Sequence, residues 1–501
     1  MARKNKRRPK RVVENMEHLP GDRIIGIETE FGCLVEDENI RPEDVVEEIK
    51  DHVFRKRKLG MIDLQARDEV FEPAESGGFM INGSRLYIDA VGSHLEYATA
   101  ETRTIKDLLA NERAGQKIIL QAIKDLDLQD TVKIYNNSID HFRGHTFGCH
   151  ENYFVRMEDD FFSHRINHMF GFLVTRQIFA GVGRVGGHIL VPNDRGPSYE
   201  EVMANPVDFV WVSQTYDAVP DISVDFQLSQ RADHILRTVA SRVRFNRALI
   251  NPKWEHFYSL NQMQRLHVLF GEANQSEYAA ALKIGTTNLV LRLIEDELMP
   301  EEVLIASPLI ALRTVSRDPN YQWLVTTAHD GEQITAIELQ RRYWRACEAA
   351  YSGKSPDADW ILNEWQDVLN RLESDPLALS DRLDWVAKRQ IVNEYRDDEG
   401  LSWQDDALHS VDLEYHNIDP DQSLYHAYRD HIPMRRVIDD LDILDATTDA
   451  PKNTRAFGRS KLVKELLAQS PRPRRYAIDW NGVQMGHVDY RDLEDPFQSY
   501  A

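Results

Sequence analysis

A chain of 501 residues with 42% hydrophobic and 28% charged residues can bury a large catalytic core and carry an appendage, and its composition is that of a globular protein. No apolar run approaches the roughly 20 residues of a membrane span, and a net charge of −22 argues against nucleic acid as main partner, because neutralising phosphates demands a basic surface. Cys33, Cys149 and Cys347 form neither an even set nor a CxxC pair and the first residues lack an apolar signal core, so a cytoplasmic setting without structural zinc is expected.

The chain opens on a basic block, Arg3, Lys4, Lys6, Arg7, Arg8, Lys10 and Arg11, and residues 1–20 are expected to be a solvated, disordered tail. Residues 23–32 are β-branched and end on glycine, predicting a strand. A helix over 42–56 follows, then a strand over 84–90, a helix over 106–125, and strands over 132–136 and 152–157. Residues 186–222, punctuated by Pro192, Gly196, Pro197, Pro206 and Pro220, read as an extended insertion. Amphipathic patterns predict helices over 287–298, 337–351 and 359–372. A basic turn at 471–475 precedes a last strand over 476–480. Strands and helices mix without a βαβ period, which predicts an α+β fold on an antiparallel sheet. The expected domains are a large catalytic unit over 21–421 and a small C-terminal one over 422–501.

Two residues apart on a strand share a face, so Glu28 and Glu30 project together and Ile25, Ile27 and Thr29 oppose them. Buried carboxylates need protons, cations or metal; the alternative is a solvated edge strand. Arg85, Tyr87 and Asp89 repeat the pattern, and His94 and Glu96 follow at the same spacing. Oxygen donors at this density suit Mg²⁺ with a nucleotide phosphate, whereas zinc wants more His or Cys. The run Gly148-Cys149-His150-Glu151-Asn152-Tyr153 adds a polar cluster entering a strand, and Gln230-Arg231 and Lys253 add cations; each alone is more often structural than functional. Neither GxxxxGK[ST] nor GxGxxG opens a helix after a strand, which disfavours P-loop and Rossmann sites.

These residues resemble the family of the Pup ligase and the Pup deamidase/depupylase, carboxylate-amine ligases related to glutamine synthetase. The resemblance rests on Gly26-Ile27-Glu28-Thr29-Glu30-Phe31-Gly32, Asn82-Gly83-Ser84-Arg85-Leu86-Tyr87-Ile88-Asp89, Gly92-Ser93-His94 with Glu96-Tyr97-Ala98-Thr99, and Gly148-Cys149-His150-Glu151-Asn152-Tyr153. It continues through Ser229-Gln230-Arg231-Ala232, Arg265-Leu266-His267-Val268 and Thr454-Arg455-Ala456. It implies a glutamine-synthetase-like catalytic domain with a curved antiparallel sheet and packed helices. It also implies Mg²⁺ at Glu28, Tyr87 and Glu96, with Glu30 beside them, ATP contacts from Arg85, Thr99, Arg231 and Trp480, and Asp89 as the catalytic aspartate. The implied partners are a small disordered Pup-like modifier and lysine-bearing proteins. The implied reaction activates a C-terminal glutamate side chain as a glutamyl phosphate and joins it to a lysine; a depupylase and a modifier-binding homologue are the alternatives. Two departures stand out: an extra residue, Ala90, after Asp89, expected to shift that aspartate relative to Glu96, and Asn251-Pro252-Lys253 where the family has Asn-Thr-Arg.

Overall fold

The computed structural model describes residues 23–67, 72–89, 94–141, 144–156, 164–192, 216–240, 247–252, 263–470, 475–486 and 489–501. The basic tail, Ala90, Lys253, the middle of the 186–222 insertion and most of the 471–475 turn lie outside them.

Strands β1 (Ile25–Val35), β2 (Gly60–Ile62), β3 (Gly77–Met80), β4 (Arg85–Asp89), β5 (His94–Ala98), β6 (Val132–Tyr135) and β7 (Cys149–Arg156) come first. Next are two short ribbons: β8 (Arg184–Val185) pairs with β11 (Phe226–Gln227), and β9 (His188–Pro192) with β10 (Tyr216–Pro220), the latter forming the described part of the predicted insertion. Strands β12 (Arg237–Val239), β13 (Ala248–Pro252) and β14 (Met263–Val268) complete a sheet ordered β12-β13-β14-β7-β1-β5-β4-β3-β2, with β6 pairing the far end of β1. Its pairs are antiparallel except β12–β13, a parallel step at the outer edge that the expected all-antiparallel sheet did not include. β1 is central, between β7 and β5, so Glu28 and Glu30 do not sit on a solvated edge.

Alternation along the strands gives the sheet two unlike faces. Ile25, Ile27, Phe31, Leu86, Ile88, Leu95, Tyr97, Tyr153, Val155, Leu266 and Val268 are buried on the helical side. They pack on helices Pro42–Asp51, Ile105–Asp125 and Glu277–Glu295 in two adjoining cores. The first two helices match the sequence pattern; a π-helical turn, His52–Lys56, completes the first, and Thr104 caps the second by accepting from Asp107 N at 2.9 Å. Helix Glu277–Glu295 begins ten residues before the predicted start. Its first half, Tyr278-Ala279-Ala280-Ala281-Leu282, is buried all round and so carries no amphipathic stripe to read. The predicted helices over 337–351 and 359–372 are Ala336–Tyr351 and Pro356–Ser374.

Behind β7 a buried ion pair fixes the strand: Arg176 grips Glu151 at 2.6 and 2.9 Å. Helix Arg455–Ala468 and the small sheet β17 (Tyr476–Asp479), β18 (Gly482–Met485) and β19 (Asp489–Asp492), which follows the ribbon β15 (Leu324–Thr326) with β16 (Gln333–Thr335), pack on Met61 and Phe79 through Val463, Leu466, Tyr476, Ile478, Val483 and Leu493. Cys33, Cys149 and Cys347 are free thiols. Among the described residues no helix is long and apolar enough to cross a membrane.

Candidate active site

The other face of the sheet carries the chemistry, because cross-strand register aligns what alternation exposes. Glu30 lies opposite Glu96, and Glu96 opposite Tyr87; Asp89 lies opposite His94, and Arg85 opposite Ala98, itself opposite Glu28. On the other flank His150 faces Glu28, and Asn152 faces His267. Two clusters result. Carboxylate oxygens of Glu30, Asp89 and Glu96 all lie within 4.8 Å of one another, and so do donor atoms of Glu28, His150 and His267. Asp89 pairs with His94 and its carboxylate reaches those of Glu30 and Glu96, while Ala90 itself lies outside the described residues. Gly148 makes room for the first cluster: a Cβ there would lie 2.5 Å from Glu30 Oε1 and 2.6 Å from His150 Nε2.

The electrostatics follow from crowding acids in a buried place. Burial opposes ionisation of Glu30, but its bond to His94 Nδ1 at 3.1 Å, the charges of His94 and His150 and the Gly148 backbone hold it at about 2. Burial and then the charges of Glu30, Glu28 and Asp89 push Glu96 well above the usual carboxylate range. Burial, Glu96 and Glu28 likewise keep the Tyr87 phenol protonated, hydrogen-bonded to Glu96. Burial also opposes ionisation of Glu28; His267, His150 and Arg265 overcome it and hold it low. Facing carboxylates of which one keeps its proton are a donor set short of positive charge, and an oxygen-only trio of this kind fits Mg²⁺.

Beside Glu28 and Tyr87 opens a cavity of 690 Å³ that also meets Arg85, Thr99, Glu101, Arg455 and Trp480. This volume is in the range of small-molecule and cofactor sites. Arg85 stacks on the Tyr87 ring, 4.4 Å from its centroid, and is held by Asp63 at 3.0 Å and Glu72 at 2.8 Å. The Thr99 hydroxyl accepts from Ile27 N at 2.9 Å, pinning the cavity wall to β1. Trp480 meets Phe79 edge-on at 5.0 Å and lies under the Arg459 guanidinium at 4.8 Å.

Arg231 is not brought to this cavity. It is buried on the Glu30 side, donates to Leu269 O at 3.0 Å, and shares the region with Arg247, which burial and the Arg231 charge pull down to about 9. Arg247 Nη1 is buried with no hydrogen-bond partner among the described residues. Both guanidiniums interact electrostatically with Glu30, and a pair of cations near one carboxylate would suit an anion. Sequence reading assigned no role to Arg247, and quoted His150 and His267 only within motifs. Their signal is cross-strand register, which residue spacing within one strand does not carry.

The Pup-ligase protein family model matches residues 23–484. A depupylase of Acidothermus cellulolyticus is 34% identical over 412 residues, covering 81% of this chain and 74% of its own. A Pup--protein ligase of Xylanimonas cellulosilytica is 33% identical over 496 residues, covering 95% of this chain and 97% of its own. The structure of the ligase PafA in complex with the prokaryotic ubiquitin-like protein Pup superposes with a TM-score of 0.75 at 27% identity, over 97% of this chain and 90% of that one. PafA in complex with ADP gives 0.70, also at 27% identity, over 92% of each chain.

Proposed function

We propose that this chain, which belongs to the Pup-ligase family, is an ATP-dependent ligase that joins the side-chain carboxylate of a C-terminal glutamate on a disordered Pup-like modifier to a lysine of an acceptor protein in the cytoplasm. The observation that carries this reading is a nucleotide-sized cavity, walled by Arg85, Thr99 and Trp480, that opens at Glu28 and Tyr87 beside the Glu30, Asp89 and Glu96 trio.

A carboxylate is a poor acyl donor. Its oxygen therefore attacks the γ-phosphorus of ATP, the bond to the β-phosphate oxygen breaks, and ADP leaves behind a glutamyl phosphate. Arg85 orients the nucleotide phosphates, and Arg231 and Arg247 face the transferred phosphoryl group from the Glu30 side. Mg²⁺ held by Glu30 and Glu96, with Glu28 and Tyr87 adjoining, would neutralise the charge that gathers during this transfer. The lysine amine then attacks the acyl carbon and expels phosphate, while Asp89 takes the proton the amine must lose.

The ligase branch is supported by colinearity: ligase relatives align with 95% of this chain and 95 to 97% of their own, whereas the depupylase relatives align with 81% and 74%. The depupylase reading, in which water replaces the amine, is kept by the 34% identity to a depupylase. Intact-mass analysis separates them: the protein is incubated with ATP, Mg²⁺, a Glu-ended or Gln-ended Pup-like peptide and a lysine-bearing acceptor, and in parallel with a preformed conjugate. Isopeptide formation with phosphate released in step is expected. Conjugate cleavage or conversion of the terminal Gln to Glu, without ligation, would assign the chain to the other branch, and absence of any ATP turnover would leave a modifier-binding homologue.

A further inference from the structure

We propose that Arg317, the last residue of helix Pro308–Arg317, is a positioning residue for phosphoryl transfer: through Asp233 it fixes the turn from which Arg231 acts on the Glu30 side. The inference rests on the reading above for the reaction that Arg231 serves.

Arg231 does not hold its own aim. Its Nη1 donates to Leu269 O at 3.0 Å, but Nε is buried with no hydrogen-bond partner among the described residues. The direction of a long side chain gripped so lightly is set by the backbone it leaves, and that backbone is tied on both sides. Arg231 N donates to Ser229 Oγ at 3.1 Å and to Glu272 Oε1 at 3.2 Å. The single turn Ala232–His234 follows, closed by His234 N on Arg231 O at 2.9 Å, and it carries Asp233.

Asp233 is buried, and its two oxygens face different segments. Oδ2 accepts from His188 N at 2.9 Å and from Gln227 Nε2 at 3.0 Å. Oδ1 meets Arg317 Nε at 2.9 Å and Nη2 at 2.8 Å, whereas the Arg184 guanidinium stays 3.7 Å from Asp233. Arg317 is therefore the close counter-charge that a buried carboxylate requires.

The same guanidinium also fastens the β9–β10 ribbon: Nη1 donates to Asp221 Oδ2 at 2.9 Å, and Nη2 to His188 O at 2.8 Å. One planar fork thus joins a helix end, the ribbon and the Arg231 turn, a grip that the point charge of a lysine does not reproduce. Stability alone asks for less. An ion pair taken out of water adds little net stability, and apolar side chains of similar volume often serve as well; what this pair supplies is a fixed place for the turn.

The test is single-turnover chemistry with the full chain, ATP, Mg²⁺ and a Glu-ended Pup-like peptide, read as ADP formed in the first turnover, beside calorimetric ADP affinity. Arg317→Gln should slow phosphoryl transfer about 10- to 100-fold, the cost of misplacing a group by about 1 Å, while ADP affinity stays within about twofold of wild type because Arg231 lies outside the cavity. Arg317→Lys, which keeps the charge without the fork, should slow it about 10-fold, and it carries the test where Arg317→Gln does not fold. In an Arg231→Gln background Arg317→Gln should add less than about twofold, because residues of one network are not additive; a merely structural role would slow both backgrounds alike. Equal slowing in both, or the wild-type rate in either Arg317 variant, would overturn the proposal and leave the ligase reading intact. A wild-type chain that forms no ADP with the peptide would remove that reading and the proposal with it, so the two failures are distinguishable.

Discussion

Asp89 sits among carboxylates that compete for protons, and this defines what its replacement should do. Asp89→Asn keeps the shape and removes the proposed base, so ADP affinity should stay within a fewfold of wild type while transfer to lysine falls by about 10²–10⁴; calorimetric ADP binding beside single-turnover ligation checks both halves. Gly148 tests the cluster from the other side. The atoms an added methyl would strike are side-chain ends, Glu30 Oε1 and His150 Nε2, so Gly148→Ala should leave the unfolding midpoint nearly unchanged yet weaken divalent-metal binding by about 10- to 100-fold, as displaced ligands and their supports do. At this scale the sequence was informative within a strand and silent between strands. The two-residue period brought Glu28 with Glu30, and Arg85 with Tyr87 and Asp89. That His150 would stand opposite Glu28, and His267 opposite Asn152, depends on pairing between segments more than a hundred residues apart. Arg231 illustrates the same limit: its charge was legible, but its place on the Glu30 side rather than in the cavity was not.

Among the elements, helix Arg455–Ala468 is tied to the end of β5 by Glu101, which pairs with Arg455 at 2.6 Å and with Arg459. Burial alone would raise this carboxyl; the two guanidiniums instead hold it at about 2, against 4.5 when free. Its folded value is depressed, so its contribution is complete above 4.5 and is lost as pH falls toward 2. The difference corresponds to a contribution on the order of 3 kcal/mol. Glu101→Gln should destabilise the protein at neutral pH by about that amount and flatten the acid limb of stability between these values, measured by denaturant unfolding of both proteins across pH. Elements with a stripe were legible: Pro42–Asp51, Ile105–Asp125 and Ala336–Tyr351 fall where apolar residues recur at helical spacing. The early half of Glu277–Glu295 was not, because a helix enclosed on all sides has no polar face to mark its period.

For the whole molecule, the cavity proposed for the nucleotide lies between the main sheet and the segment that carries Trp480, Tyr490 and Pro496, so a ligand there touches both. Binding to the folded state alone should stabilise the protein by about 2.7 kcal/mol at a hundred times the dissociation constant. ADP with Mg²⁺ should therefore raise the thermal midpoint in scanning calorimetry, and Trp480→Ala should abolish most of that rise at the same nucleotide concentration while the ligand-free midpoint moves less. The α+β class was legible because no βαβ rhythm runs along the chain; the parallel β12–β13 step was not, since direction at a sheet edge leaves no mark in hydropathy.

One consequence of the sheet concerns changes in length rather than in kind. Every candidate acid and imidazole occupies a position of one parity within its strand: 28 and 30, 87 and 89, 94 and 96, with 150 and 267 on the far strands. Removing one residue inside β4 would exchange Tyr87 and Asp89 for Leu86 and Ile88, sinking charge into the core and leaving a greasy, inert face. Adding one between strands leaves the parity within each strand intact, and with it the pairing that sets Tyr87 opposite Glu96. Gains and losses of single residues should thus divide sharply, tolerated in the turns and fatal in the strands, whatever the identity of the residue involved.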